Sequence, residues 1–194
     1  MLSLPTLLPL VGDTLRAPRE TFARLLALDL PRGALWQALI LVVILSVLLA
    51  EGANLLISPM SGGPGHMVIA SPAVFGILQL SLLVVMVFAI YWIGKAAGGQ
   101  GSFAGGILLV AWLQFVMVCL QALQSVAILV MPPLAWLIGV GGLVLFLWLL
   151  TNFIAELHGF ASLGRVFAMI LFSMLGFALG LSFLLTLIGV SVPR

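Results

Sequence analysis

Charged side chains are scarce in this sequence, and their scarcity excludes most kinds of water-soluble protein. Only 6% of the 194 residues are charged, with seven Lys and Arg against five Asp and Glu, whereas 64% are hydrophobic. Soluble domains usually carry about 25% charged residues, so these few charges cannot cover a water-facing surface. The net charge of +2 is also too small to indicate a nucleic-acid partner.

Residues that carry chemistry are equally scarce. The single cysteine, Cys119, excludes an intramolecular disulfide and fits a small core residue. The two histidines, His66 and His158, lie outside the apolar runs and share no zinc-ligand spacing with other residues. No ionisable residue stands near the middle of an apolar run, where ion-coupled transporters usually keep one. We therefore expect no catalytic residue, no metal and no cofactor.

Long apolar runs are what the sequence has in abundance. There are five, and each is about as long as the roughly 20 residues that cross a hydrocarbon core. The pattern predicts an all-α integral membrane protein, a five-span transmembrane helical bundle. The predicted spans are residues 34–53, 72–94, 103–130, 134–154 and 166–190.

Two short breaks determine how the middle spans connect. Residues 95–102 (KAAGGQGS) are so few that the second and third spans must be antiparallel neighbours. Met131, Pro132 and Pro133 predict a tight turn between the third and fourth spans, since tandem prolines cannot continue a regular helix. Two polar loops are predicted as well, Leu55–Ser71 and Ala155–Gly164, and the second of them carries Glu156 and His158.

A short segment, residues 1–30, precedes the transmembrane domain of residues 31–194. Met1–Val11 contains two prolines and no basic residue, which argues against a signal peptide; it lies on the membrane surface or is disordered. In Pro18–Leu28 the apolar residues recur at spacings of three and four, which predicts a short amphipathic helix. This helix either lies along the headgroups as an interfacial helix or is a lead-in helix that packs on the bundle.

The basic residues predict the orientation. If all five runs span, six of the seven basic residues fall on one side: Arg16, Arg19, Arg24, Arg32, Lys95 and Arg165. The positive-inside rule places this side in the cytoplasm. We therefore expect a multi-pass protein of the cell inner membrane with a cytoplasmic N-terminus and a periplasmic C-terminus.

Three sets of residues are candidates for function. The first set predicts a cytoplasmic surface that docks anionic headgroups or a partner; it consists of Arg19, Arg24, Lys95, Glu156, His158 and Arg165. The alternative is that these charges serve only to determine the topology. Gln114, Gln121 and Ser125 share one face of the third span, either as glue between helices or as a lining for a lipid headgroup or small solute. Gly176 and Gly180 form a small-xxx-small pair that packs within the chain or between copies.

Three pieces of sequence, in this order, carry a resemblance to a known family. They are Ala17–Leu26 (APRETFARLL), Gly94–Phe103 (a G-K-x-x-G-G-x-G-S-F turn) and Phe153–Phe160, which ends in HGF. With five spans around them, the chain resembles the bacterial branch of the Yip1 domain family over about residues 15–190. The resemblance implies a five-span bundle with a cytoplasmic N-terminus. Eukaryotic relatives are linked to Rab GTPases, but the short N-terminal segment here lacks their acidic and aromatic motifs, so that role is not carried over.

Two functions are consistent with these observations. The first is a non-enzymatic membrane protein that organises the membrane or binds lipids, further copies of itself or a membrane-protein partner. The second is a transporter-like protein that handles a lipid or small solute along the polar face of the third span. A membrane enzyme ranks third, because the sequence contains no catalytic set of residues.

The topology is testable by cysteine labelling in a Cys119→Ala background. Single cysteines are introduced at Gly63, Gln100, Ser162 and Val192, that is, in three of the four predicted connections and in the C-terminal tail. A membrane-impermeant thiol reagent applied to intact cells is expected to label only the variants at Gly63 and Val192, which the five-span topology places outside. Labelling at Ser162 in place of Val192 would contradict the five-span topology.

Overall fold

The computed structural model describes residues 4–57 and 71–187, and within them it contains seven helices and no strand. In chain order they are α1 (Leu4–Arg16), α2 (Pro18–Leu26), α3 (Arg32–Ile57), α4 (Pro72–Ala96), α5 (Phe103–Val130), α6 (Pro132–His158) and α7 (Leu163–Leu187). The helices α3 to α7 are long and apolar enough to cross a membrane. The predicted all-helical membrane bundle is therefore confirmed.

The fourth span ends later than predicted, because α6 continues to His158. The expected polar loop from Ala155 is wrong over its first four residues, which are helical. The helix ends where Gly159 adopts a left-handed backbone conformation, with φ of 72°. Backbone geometry at a glycine, and not the polarity of Glu156, stops this helix.

The connections between α5 and α6 and between α3 and α4 also differ from their predictions. Only Met131 separates α5 from α6, and the expected turn is shorter than predicted because Pro132 and Pro133 already belong to the first turn of α6. A proline is tolerated there because the first N–H groups of a helix have no intrahelical partner. The predicted loop after the first span begins later than expected, since α3 continues to Ile57; its residues 58–70, including His66, lie outside the described residues.

The helix α5 is the centre of the bundle. It packs against α3, α4 and α6 and also touches α2, and its first half is almost continuously buried. In contrast, α7 packs chiefly on α6 and exposes most of its length. Large apolar side chains such as Trp136 and Phe172 point outward, as expected for a bundle whose surroundings are lipid chains.

The N-terminal segment packs on the bundle and contains two helices where one was predicted. Of the two alternatives for Pro18–Leu28, the structure shows the lead-in helix, because α2 buries Phe22 and Leu25 against the bundle. The part of Met1–Val11 that the structure describes is helical and belongs to α1. The fully buried Thr14 of α1 accepts a hydrogen bond of 3.1 Å from the indole N–H of Trp112 in α5.

Glycines of α6 let it approach α5 closely. A Cβ atom added to Gly139 would lie 3.0 Å from the amide nitrogen of Gln124, and one added to Gly142 would lie 2.7 Å from a methyl group of Leu120. In lipid, where no hydrophobic force draws helices together, such contact packing holds them.

We expect Gly142→Leu to lower the unfolding temperature of the protein in detergent, because the new side chain forces α6 away from α5. The matched control is Gly141→Leu, since a Cβ at Gly141 meets nothing within 4 Å among the described residues. Thermal unfolding followed by circular dichroism compares the two variants with the parent protein. Equal unfolding temperatures for both variants would contradict the close α5–α6 packing.

Candidate functional site

Three segments that are distant in the sequence meet at one end of the bundle. They are α2, the turn between α4 and α5 with the residues that flank it (94–105), and the end of α6 with the residues after it (153–160). We call this assembly the junction. It also contains the three sequence pieces on which the resemblance described above depends.

The turn of the junction is built by a glycine cap at the end of α4. Gly98 has φ of 87°, a left-handed conformation that glycine adopts without steric cost. The N–H of Gly99 donates to the carbonyl of Gly94 at 2.8 Å, and the N–H of Gly98 donates to that of Lys95 at 3.0 Å. This pair of bonds is a Schellman motif, and it turns the chain sharply towards α5.

The end of α6 carries a second Schellman motif. The N–H of Phe160 donates to the carbonyl of Ala155 at 2.8 Å, and the N–H of Gly159 donates to that of Glu156 at 3.3 Å. Because both helices end in the same way and side by side, the last residue of α6 is directed into the α4–α5 turn. That residue is His158.

The imidazole of His158 is 2% exposed and is hydrogen-bonded at both ring nitrogens. Its Nδ1 accepts from the backbone N–H of Gly101 at 3.2 Å, and its Nε2 lies 3.1 Å from the carbonyl oxygen of Ile90. An N–H can only donate and a carbonyl can only accept, so Nδ1 carries no proton and Nε2–H donates. The ring is therefore neutral, and its tautomer is set by the backbone around it.

Glycines surround this ring because no larger residue leaves room for it. A Cβ atom at Gly94 would overlap the ring carbon Cε1, one at Gly99 would lie 2.5 Å from Nδ1, and one at Gly101 would lie 2.7 Å from Cε1. The glycines of residues 94–102 (GKAAGGQGS) also build the tight turn between α4 and α5. Their further role, which sequence reasoning missed, is to enclose the side chain of His158.

The helix α2 is held on the junction by one aromatic pair and one ion pair. The rings of Phe22 and Phe153 stack with centroids 4.8 Å apart, and both side chains are fully buried. Nε of Arg19 donates to Oε2 of Glu156 at 3.0 Å, and these side chains are 38% and 28% exposed. Burying a phenylalanine contributes about 1.5–3 kcal/mol, whereas an accessible ion pair contributes about 0–1 kcal/mol. The aromatic pair therefore anchors α2, and the ion pair orients it.

The structure divides the predicted cytoplasmic surface into three parts. His158 is buried, so its assignment to a surface is wrong, because its ring is hydrogen-bonded to the backbone of Gly101 and Ile90. Glu156 and Arg19 are partly buried and paired with each other. Lys95 and Arg165 remain exposed, and Arg24 is exposed beside Asp13, with 3.4 Å between Nη2 and Oδ2.

The predicted polar face of the third span makes hydrogen bonds between and within helices. Nε2 of Gln121 donates to the backbone carbonyl of Ser46 in α3 at 3.2 Å. The hydroxyl of Ser125 donates to the carbonyl of Gln121 in its own helix at 2.9 Å. Gln114 is half-buried and forms no hydrogen bond to any residue that the structure describes. Among the contacts of the described residues, Gln121 is the one of these three that joins two helices.

A second polar contact lies beside this face. The side chains of Ser46 in α3 and Gln79 in α4 are hydrogen-bonded, with 2.9 Å between Oγ and Nε2. Together with Gln121, this contact connects α3, α4 and α5 around one serine. A cavity of about 280 Å³ lies between α5 and α6, and it is lined by Gln121 and Gln124 together with apolar residues.

The predicted packing glycines of α7, Gly176 and Gly180, meet no neighbouring helix within residues 4–57 and 71–187. A Cβ atom added at Gly176 or Gly180 would find nothing within 4 Å among the described residues. Among the residues that the structure describes, this face of α7 therefore packs against no other helix. Contact between copies stays a prediction.

The chemistry of the junction is that of a structural lock. Both nitrogens of His158 are engaged by the backbone, and Glu156 is engaged by Arg19. Within residues 4–57 and 71–187, no group of three or more His, Cys, Asp or Glu side chains is placed to hold a metal ion.

Comparison with known proteins gives one match. The family model described as the Yip1 domain matches residues 12–184, a range that runs from α1 to the last turns of α7 and includes the whole junction. The search of the curated proteins found no match, and neither did the search of the solved structures.

A double-mutant cycle tests the enclosure of His158. Gly94→Ala places a methyl group against the ring and is expected to destabilise the protein by about 1–3 kcal/mol. His158→Ala leaves the Gly101 N–H unpaired and should cost a similar amount. In the double variant the added methyl group has room. The destabilisation of the double variant should therefore be smaller than the sum of the two single destabilisations by about 1 kcal/mol or more.

Thermal and denaturant unfolding in detergent measure the cycle. The matched control is Gly164→Ala, because a Cβ there meets nothing within 4 Å among the described residues; it should leave stability unchanged and be additive with His158→Ala. Additive costs for Gly94→Ala and His158→Ala would show that the two residues do not touch.

Proposed function

The chain belongs to the Yip1 domain family, and from that premise we propose that it is a non-enzymatic, polytopic inner-membrane protein that organises the membrane by binding anionic lipid headgroups at its junction end. The observation that carries this proposal is the position of the charged residues. The basic residues within the described ranges all belong to the N-terminal helices or to the helix ends beside the junction.

The charges that remain after pairing favour an anionic ligand. Arg19 and Arg24 are paired with Glu156 and Asp13. The exposed basic residues that form no ion pair within the described ranges are Arg16, Arg32, Lys95 and Arg165, against Glu20 and Asp29 of opposite sign. We call these four residues the basic face. Each basic residue near an anionic leaflet contributes about 1 kcal/mol to the attraction.

The orientation and the absence of catalysis belong to the same proposal. The positive-inside rule supports a cytoplasmic basic face, with the N-terminus in the cytoplasm and the C-terminus in the periplasm. The use of His158 and Glu156 in fixed contacts within the junction supports a role in binding and not in catalysis.

A transporter-like protein is the second candidate function. The cavity between α5 and α6, lined by Gln121 and Gln124, favours it. Against it, the amide groups of both glutamines already donate to backbone carbonyls, of Ser46 and Ala135, at 3.2 and 3.1 Å. Their hydrogen bonds join helices, so we place lipid binding at the basic face first.

The proposal predicts a composition difference in the lipids around the protein. The chain is reconstituted in vesicles of phosphatidylglycerol and phosphatidylcholine and extracted with a disc-forming polymer, and the ratio of the two extracted lipids is measured. Phosphatidylglycerol is expected to be enriched over the vesicle average, and Arg16→Gln with Arg32→Gln should reduce the enrichment by several-fold.

The matched control replaces Arg16 and Arg32 by lysine, which keeps both positive charges and should keep the enrichment. An increase in salt concentration should weaken the enrichment in the parent protein, because exposed charges are screened. An extracted lipid ratio equal to the vesicle ratio in the parent protein would overturn the proposed function.

A further inference from the structure

A slot runs along the membrane-facing side of the bundle from the junction end towards the bilayer centre. Its walls are α4 and α7, and its floor is α6; we call it the α4–α7 slot. It exists because α7 packs chiefly on α6 and leaves a gap beside α4. The slot encloses a cavity of about 220 Å³.

The lining of the slot suits a hydrocarbon chain. Of the side chains that line it, only that of Ser173 is polar, and its hydroxyl already donates to the carbonyl of Met169 at 2.7 Å. The other lining residues are aliphatic or aromatic, or are small, such as Ala89 and Gly94. No polar side chain of the lining is therefore left unpaired, and the lining favours an apolar ligand over a polar one.

The length of the slot matches one leaflet. From Val166 to Phe177, both of which line it, α7 rises about 16 Å at roughly 1.5 Å per residue. Half of a hydrocarbon core of about 30 Å is about 15 Å. A chain that enters at the junction end therefore reaches about the bilayer centre at the level of Phe177.

Two positively charged residues adjoin lining residues at the junction end of the slot. Lys95 follows the lining residue Gly94 in the last turn of α4, and Arg165 precedes the lining residue Val166 in the first turn of α7. Both side chains are exposed, and neither forms an ion pair with a carboxylate within the described part of the chain. The apolar slot, about as deep as one leaflet, is complementary to an acyl chain, and the two cations beside its junction end are complementary to a phosphate group. Together they match an anionic phospholipid.

We infer that the α4–α7 slot binds one anionic glycerophospholipid of the surrounding membrane, with an acyl chain between α4 and α7 and the phosphate group between Lys95 and Arg165. The inference rests on the proposed function, since it names one specific site at the junction end. Whereas the basic face attracts anionic lipids in general, the slot binds one lipid per chain, and this lipid exchanges slowly.

The test counts lipids on the purified protein. The chain is extracted in a mild detergent from vesicles of phosphatidylglycerol and phosphatidylcholine, washed, and examined by native mass spectrometry. One phosphatidylglycerol per chain is expected on the parent protein. Lys95→Gln with Arg165→Gln should weaken its retention by about 5-fold for each charge removed.

Two variants test the slot separately from the charges. Ala89→Phe and Ser173→Leu each fill the slot and should release the lipid while Lys95 and Arg165 remain in place. Ala168→Phe is the matched control, since Ala168 is exposed on α7 and does not line the slot. The unfolding temperature of each variant shows that it is folded, and the two filling variants serve as replicates of each other if one fails to fold.

The outcomes separate this inference from the proposed function. Retention of phosphatidylglycerol by both filling variants, or equal retention of phosphatidylcholine by the parent protein, overturns the slot. Enrichment that depends on Arg16 and Arg32 would then still support the proposed function. Conversely, loss of the lipid in the filling variants, together with no enrichment around the basic face, supports the slot and overturns the general attraction.

Discussion

The junction depends on the hydrogen bonds of one buried histidine, His158, which lies between two helix ends. The ring of His158 needs a donor and an acceptor at fixed positions, and both come from backbone groups, of Gly101 and Ile90. An unpaired polar atom at such a site would cost about 1–3 kcal/mol, so the ring holds the α4–α5 turn and the end of α6 in one register. Glycine is required around it because only a backbone without Cβ approaches the ring closely enough.

The position of these contacts of His158 at a helix end, and not within the spans, follows from what each part of the bundle must satisfy. Along the spans the bundle is held by small-residue packing and by a few polar contacts, such as the one between Ser46 and Gln79. At the junction end the chain must also satisfy the free carbonyl groups of two helix ends. The Schellman caps at Gly98 and Gly159 each satisfy two of them within the chain, and α2 packs beside them with Phe22 stacked against Phe153.

The spans were predicted well from the sequence, because a membrane-spanning helix requires a long apolar run and such runs are unambiguous in this chain. The third span was predicted at its observed bounds. The end of α6 was misplaced because polar residues were taken to mark a loop, although a capped helix tolerates them in its last turn. His158 was assigned to a surface for the same reason: nothing in a single sequence says which way the last residue of a helix points. The density of glycine in residues 94–106 was the signal that a bulky group had to be accommodated.

The contact between Arg19 and Glu156 joins residues 137 positions apart, and this separation orders events during synthesis. Chains grow at about 5–20 residues per second, so α2 leaves the ribosome roughly 7–27 s before its binding surface exists. Four long helices must enter the membrane before the first helices of the chain reach their final position. The earliest part of the protein to be made is thus among the last to be fitted, and until then the apolar side chains of α2 need another surface, for which the headgroup region of the same membrane is the nearest.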